Sequence, residues 1–246
     1  VSMIGAHTPA AESRLANFVE CGGLFVTTGQ QPGLFLGPLY SVYKALTAIR
    51  VASALEPILK RPVLAAFWIA SEDHDWEEAD HAHLIDLENQ VVDVRLPAPA
   101  GPPNRPLHRI RLEANLGKVI DSLSRVLPKT EFTPPILNLL RRAYSQGTTL
   151  PQASQALLVE ILKDLPIAFV DAANPDLKRA SLPVLFRELE KAEEHEALLA
   201  RAACHLELEG YHVQVPILEK GINLFFEGTE GRDRLESMCP RRLSGS

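Results

Sequence analysis

The segment RPVLAAFWIA, Arg61–Ala70, runs without a break into SEDHD, Ser71–Asp75. Its apolar residues are continuous instead of alternating, the pattern of a strand buried on both faces, and such strands belong to parallel sheets covered by helices. Upstream, Leu24–Thr27 reads as a second short strand. Between the two, Leu39, Val42, Tyr43, Leu46 and Ile49 recur at three and four, which predicts an amphipathic helix from Pro38 in its first turn to about Leu55, just before Pro57. Strand, helix, strand in that order is a β-α-β unit with a right-handed crossover. The fold class read from it is α/β.

Working outward, a helix over about Ala10–Glu20 stops at Gly22-Gly23, where a left-handed cap favours glycine. Past the SEDHD stretch, two short strands are expected at Ala82–Leu87 and Val91–Leu96 around the turn Glu88-Asn89-Gln90. The Pro- and Gly-rich PAPAGPPNRP, Pro97–Pro106, then opens an insertion with helices at about Leu116–Val126, Pro134–Ser145 and Gln152–Asp164. The second of these is expected to be capped by Thr133. Pro166–Asp171 returns as a buried strand, and Asn174-Pro175-Asp176 starts a long helix reaching Glu209 with a break, its leucines packing inward. Two strands, His212–Ile217 and Ile222–Glu227, follow. The expected division is residues 1–96 as the first part of the core, 97–165 as a helical insertion, 166–239 as the continuation of the core, and 240–246 as a disordered tail.

The composition excludes several classes. With 246 residues and 46% hydrophobic content the chain can bury a large core. A net charge of -6 with no clustered Lys and Arg argues against nucleic-acid or anionic-membrane binding. Pro62–Ala70, among the longest apolar runs, is far short of the roughly 20 residues a membrane helix needs. The first residues carry neither a basic nor an apolar leader segment, so no secretory signal is expected. The three cysteines, Cys21, Cys204 and Cys239, lie far apart in an odd number and fit buried or half-buried thiols in a reducing cytoplasm.

Two polar clusters carry the candidate chemistry. TTGQQPGLFLGPLY, Thr27–Tyr40, lies where a strand ends and a helix begins, the place at which an open α/β sheet binds anions through free backbone N–H groups. Its glycines match neither the dinucleotide fingerprint nor the phosphate loop, so a ligand-binding turn and a purely structural one both stand. Paired amides at Gln30 and Gln31 are costly to bury without partners, and Lys44, one helical turn past Tyr40, can reach the sheet edge. The SEDHD cluster ends the neighbouring strand, so both clusters meet at one edge. There His74, flanked by Asp73 and Asp75, fits a general acid/base, although Asp73 as a helix cap and His74 as a satisfied core residue is the bland alternative. His74, His81 and His83 with Glu77 leave a metal-dependent hydrolase open, with a spacing that matches no standard zinc motif. Ser71 lacks the surroundings of a nucleophilic serine.

TGQQPGLFLGPLYSVYKALTAIR (Thr28–Arg50) and PVLAAFWIASEDHDWEEADHAHLIDL (Pro62–Leu87) closely resemble the two characteristic stretches of the bacillithiol biosynthesis cysteine-adding (BshC) family. FVDAANPDLK with Asp171, GYHVQV with Gln214, and NLFFEGTEGRDRL with Asn223, Phe225 and Arg232 are similar to later pieces. The resemblance implies a Rossmann-like parallel-sheet core with helical insertions and a ligase that adds cysteine to glucosaminyl malate. It maps Thr28, Gly29, Gln30, Gln31, Gly33, Gly37, Pro38, Tyr40 and Lys44, then Ser71, Glu72, Asp73, His74, Asp75 and Glu77. Of these, Thr28, Gly29, Gln30, Gln31, Tyr40, Lys44, Ser71 and Glu72 are the expected substrate-binding residues, and His74, Asp73 and Asp75 the catalytic ones. A cofactor is left open, with ATP or ADP as the candidate nucleotide, and no resident metal is expected. Family members are about twice as long and dimerise through a carboxyl-terminal coiled coil, so the chain is expected to be a truncated amino-terminal half without that coiled coil. A non-catalytic ligand-binding fragment is the remaining alternative.

Overall fold

The computed structural model describes residues 3–102, 104–113, 116–215 and 221–236. It divides into two compact units, Val1–Leu177 and Lys178–Ser246.

The first unit is built on β2, Val63–Ile69. It pairs in parallel with β1, Leu24–Gln30, on one side and β5, Ile167–Asp171, on the other, giving the order β1-β2-β5. The β-α-β reading therefore holds, with α2, Tyr40–Leu59, as the crossover. Val63, Ala65, Phe67 and Ile69 join the main core on one face, where α2 and the insertion helices pack. Leu64 lies on the other face with Leu15 of α1, Pro9–Cys21, and Ala168 of β5. That second face is covered only in part: Trp68 remains 42% exposed, so β2 is not buried throughout as expected. The outer edge of β5 is occupied at Phe169 by backbone bonds to Gly5.

The helix α2 keeps its predicted face in part, with Ile49 in the core and Val42 and Leu46 packed against it. Its buried residues are Ser41, Ala45, Ala48, Ile49 and Ala52, whereas Leu39 and Tyr43 are exposed. Small side chains let the helix axis approach the sheet closely, so they share the packed stripe with Ile49, Val42 and Leu46. The helix also runs through Pro57 to Leu59, because a proline near the end forfeits one backbone bond without requiring an immediate stop. Glu56 accepts from Val63 N–H and Arg14 Nη1, each at 3.0 Å, and ties this end of the helix to the start of β2.

Beyond β2, α3 (Trp76–Ala79) leads into the antiparallel hairpin β3 (His81–Ile85) and β4 (Val91–Arg95), as expected. Asn89, at φ 58°, takes its tight turn. The insertion supplies α4 (Leu116–Val126), α5 (Thr133–Ala143) and α6 (Leu150–Ile161). Thr133 is inside α5 rather than its cap, while α6 opens with a capping box between Thr149 and Gln152. Ile120 and Leu123 of α4, Leu137 and Leu140 of α5 and Leu157 of α6 share one core with the sheet.

The second unit holds most of α7 (Pro175–Glu190), then α8 (Ala192–Leu208) and the hairpin β6 (Gly221–Glu227) with β7 (Arg232–Glu236). The break between the helices falls at Lys191. Neither helix buries a residue fully, so the expected inward packing of their leucines is corrected: Leu182, Leu189 and Leu198 are exposed. Residues 212–215 form no strand, against expectation, and 216–217 lie outside the described residues. Cys21 and Cys204 are exposed free thiols, not buried ones, while Cys239 and the tail 240–246 lie outside the described residues. No helix among the described residues is long and apolar enough to cross a membrane.

Candidate functional site

Strand β1 extends past its expected end to Gln30, which pairs with Ile69, so the glutamines and Ser71 emerge side by side at the carboxyl edge of the sheet. Gly29 sits directly beside β2, where a Cβ would come within 2.8 Å of the Trp68 carbonyl. It is there for close approach. The chain then passes through a short 3-10 turn, Leu34–Leu36, in which Phe35 (φ 51°) and Leu36 (φ 77°) are both left-handed. Two adjacent non-glycine residues in that region carry strain of order 1–3 kcal/mol each and need the surroundings to hold them. Phe35 meets Tyr144 edge-on at 5.2 Å, and Tyr144 Oη and Ser154 Oγ donate to the Gly33 carbonyl at 3.4 and 3.3 Å. Burial pushes the Tyr144 phenol up to about 12, against the pull of its bonds to Ser154 and the Leu36 and Phe35 backbone.

This turn forms one wall of a cleft of about 270 Å³, lined on that side by Gln30, Gln31, Gly33, Gly37, Pro38, Leu39 and Tyr40. Gln30 Nε2 donates to Tyr40 Oη at 3.2 Å, and Lys44 Nζ donates to Gln30 Oε1 at 2.8 Å and to the Gly29 carbonyl at 3.4 Å. Lys44 also lies over the Tyr40 ring, 5.1 Å from its centroid. The Gln30 amide is thus held at both ends, leaving a third Lys44 hydrogen and the Tyr40 hydroxyl hydrogen to donate. Gln31 Nε2 donates to the Asp75 carbonyl at 3.2 Å. Beside them α2 begins at Tyr40 with no side-chain cap, and the N–H groups of Ser41, Val42 and Tyr43 donate to the Pro38 and Leu39 carbonyls.

The opposite wall is Glu78, His81, Ala82 and His83, from α3 and β3. His81 Nδ1 lies 3.0 Å from the Glu77 carbonyl and 2.9 Å from Asp80 Oδ1, and Arg95 Nη1 donates to Asp80 Oδ2 at 3.0 Å. Asp80 was not among the residues singled out by sequence, since nothing in Asp80-His81 alone distinguishes it from a surface pair. The hairpin register that sets His81 opposite Arg95 is what assembles the group. His83 Nδ1 pairs with Asp93, both largely exposed, and its ring stands 4.9 Å from that of His81.

The SEDHD residues are used differently. Ser71 is fully buried; its hydroxyl donates to Asp171 Oδ1 and accepts from Ala173 N–H at 3.0 Å. It braces the ends of β2 and β5 and does not reach the cleft wall. The Ser71 and Asp73 carbonyls accept from His108 and Leu107 N–H at 3.0 and 2.7 Å, which docks the insertion here. Asp73 Oδ1 accepts from the backbone N–H of His74 and Asp75, and Asp75 Oδ1 caps α3 through Glu78 N–H at 3.0 Å. Neither carboxylate grips the His74 ring: Nδ1 is 3.9 Å from Asp73 Oδ1 and has no hydrogen-bond partner among the described residues. The expected orientation of His74 by Asp73 or Asp75 is therefore corrected, because both carboxylates are engaged by backbone. Glu72 is half-buried, and Thr28 lies within β1 opposite Phe67, away from the cleft lining. Among the described residues no three His, Cys, Asp or Glu side chains converge on a point, so the His74, His81 and His83 set that a metal-dependent hydrolase needs does not form.

Comparison with known proteins agrees with this architecture. Residues 2–241 match the family described as bacillithiol biosynthesis BshC, N-terminal Rossmann-like domain, and the sheet and its helices are Rossmann-like α/β. Three relatives bear the name "Putative cysteine ligase BshC". The chain is 33% identical to that of Salinibacter ruber over 89% of its own length and 40% of the relative's. For Koribacter versatilis the values are 32%, 92% and 42%, and for Heliobacterium modesticaldum 35%, 71% and 32%. The chain spans less than half the length of each.

Proposed function

The chain belongs to the bacillithiol biosynthesis BshC family, and on that premise we propose that it supplies the substrate-binding Rossmann-like part of a cytoplasmic cysteine ligase. The reaction is the joining of the cysteine carboxyl to the amine of glucosaminyl malate as an amide. A carboxylate is a poor electrophile at neutral pH, so a nucleoside triphosphate activates it as an acyl phosphate or adenylate before the amine attacks.

The observation that carries this reading is the donor-rich lip at the carboxyl edge of β1. Lys44, held by Gln30 and stacked on Tyr40, has no carboxylate partner among the described residues and keeps one ammonium hydrogen to donate beside the Tyr40 hydroxyl. Such a lip suits an anion, the malate carboxylates or a nucleotide phosphate. Gln31, tied to the Asp75 carbonyl, links the lip to the start of α3 and fixes the width of the cleft. Thr28, Gly29, Ser71 and Glu72 act behind this surface, by shaping and bracing it. His74, which the sequence points to for accepting the amine proton, keeps an unpartnered but buried Nδ1 and is not among the residues lining the cleft.

The test is to supply the full-length protein with glucosaminyl malate, cysteine and ATP and to look for the condensed thiol by mass spectrometry. Product that requires the nucleotide is expected. No product with any nucleoside triphosphate would remove the ligase reading, and the same incubation with the 246-residue chain shows whether it acts alone.

A further inference from the structure

From the cleft geometry we infer that the proton-transfer group of this site is His81, positioned by Asp80 with Arg95 behind it. The inference rests on the ligase reading for its substrate but on the hairpin for its geometry.

The neighbours of His81 fix its tautomer. Both groups beside His81 Nδ1, the Glu77 carbonyl at 3.0 Å and the Asp80 carboxylate at 2.9 Å, only accept hydrogen bonds, so Nδ1 carries the proton. In the neutral ring Nε2 is then a bare acceptor, and no protein group among the described residues bonds to it. His81 itself lines the cleft. A histidine fixed in this way by a carboxylate is the arrangement in which an imidazole takes a proton and the resulting cation is stabilised from behind.

The support is built, not incidental. The Asp80 side chain is only 6% exposed, and each of its oxygens has a partner, Oδ1 with His81 and Oδ2 with Arg95. Its backbone is fixed as well, with N–H on the Trp76 carbonyl at 2.9 Å and carbonyl on Leu96 N–H at 2.8 Å. A buried carboxylate placed at the join of helix and hairpin holds the ring against both elements. The other two histidines lack this. His74 has no carboxylate at bonding distance, and the His83 pair is 60% and 57% exposed on the hairpin surface.

In the reaction the amine nitrogen attacks the activated carboxyl carbon, the C–N bond forms, and the phosphate or nucleoside monophosphate leaves with the bonding pair. The proton lost by nitrogen goes to His81 Nε2. Asp80 stays ionised and neutralises the imidazolium, while Arg95 keeps Asp80 in place.

In the full-length protein, His81→Ala is expected to lower kcat for cysteine addition by ~100-fold or more, with KM for the sugar substrate nearly unchanged and part of the rate restored by added imidazole. His81→Gln, which keeps the size of the ring, should lose as much kcat with an unchanged thermal midpoint, separating chemistry from folding. Asp80→Asn should lower kcat about tenfold and shift the ring ¹⁵N spectrum away from the Nδ1–H form. Turnover within about threefold of the unaltered protein in both His81 variants overturns the assignment and leaves the ligase reading intact. If the unaltered protein makes no product, the ligase reading fails and the ring spectrum decides alone. An Nδ1-protonated His81 whose Nε2 signal moves on adding glucosaminyl malate or ATP supports the assignment. An Nε2-protonated ring, or a signal that neither compound moves, overturns it.

Discussion

Two polar segments follow β2 within a dozen residues or so, and the structure uses them in opposite ways. Residues 71–75 turn their polar atoms inward: Ser71 to Asp171, Asp73 to the backbone, Asp75 to the start of α3, with the insertion docked on their carbonyls. Within residues 78–83, Glu78, His81, Ala82 and His83 face the cleft across from the glutamine turn. The first segment has the denser charge, yet most of it is consumed in holding the sheet edge together. Concentrated ionisable residues at a strand end thus mark the ligand edge of the sheet without marking which of them meet the ligand. Of the two histidines that line the cleft, His81 is the one with a buried carboxylate behind it.

The contrast is open to direct attack. The largest expected effect is on turnover: His81→Ala should cost ~100-fold in kcat, whereas His74→Ala should cost only a few-fold, and reversed sizes would invert the comparison. Next, Asp171→Ala should destabilise the first unit by about 1–3 kcal/mol, since it leaves the buried Ser71 hydroxyl and Ala173 N–H short of a partner. A denaturation midpoint equal to wild type would show that residues 71–75 are not a brace. Tyr144→Phe removes the neutral hydrogen bonds of the phenol beneath the strained turn, that to the Gly33 carbonyl among them, and should cost about 1 kcal/mol or more at neutral pH. Because the folded phenol is raised from 10.0 to about 12, its stabilisation is complete below pH 10 and is lost as pH climbs toward 12. The unaltered protein should therefore weaken over that window and Tyr144→Phe less so, as urea titrations at a series of alkaline pH values would read. Smallest of all, His83→Ala should change stability by less than about 0.5 kcal/mol, because its pair with Asp93 is exposed.

The parallel core was legible in the sequence because a continuous apolar run such as Val63–Ile69 has few other uses. The meeting of the glutamine turn and the SEDHD stretch at one edge followed from that run alone, and the register of Gln30 with Ile69 bears it out. What failed to show was anything decided by packing partners distant in the chain. The packed face of α2 holds Val42, Leu46 and Ile49 as read but turns toward Ser41, Ala45 and Ala48, because close approach to the sheet favours small residues over Leu39 and Tyr43. Trp68 reads as core, yet the sheet face it occupies is only partly covered by α1. The leucines of α7 and α8 have the spacing of a buried stripe, but Leu185 and Leu199 are only half-buried and Leu182, Leu189 and Leu198 are exposed. Asp80 acquires its role from Arg95, which the hairpin brings from across two strands, and local spacing carries no trace of that.

The central claim is that the glutamine turn, with Lys44, holds an anionic substrate group opposite His81. Calorimetric titration of glucosaminyl malate into the full-length protein and its Lys44→Ala variant tests it most directly. The account predicts binding at least about tenfold weaker in the variant, the loss expected for one charge-assisted contact of roughly 1.5 kcal/mol, with the thermal midpoint unchanged. Equal affinity in the two proteins would contradict it.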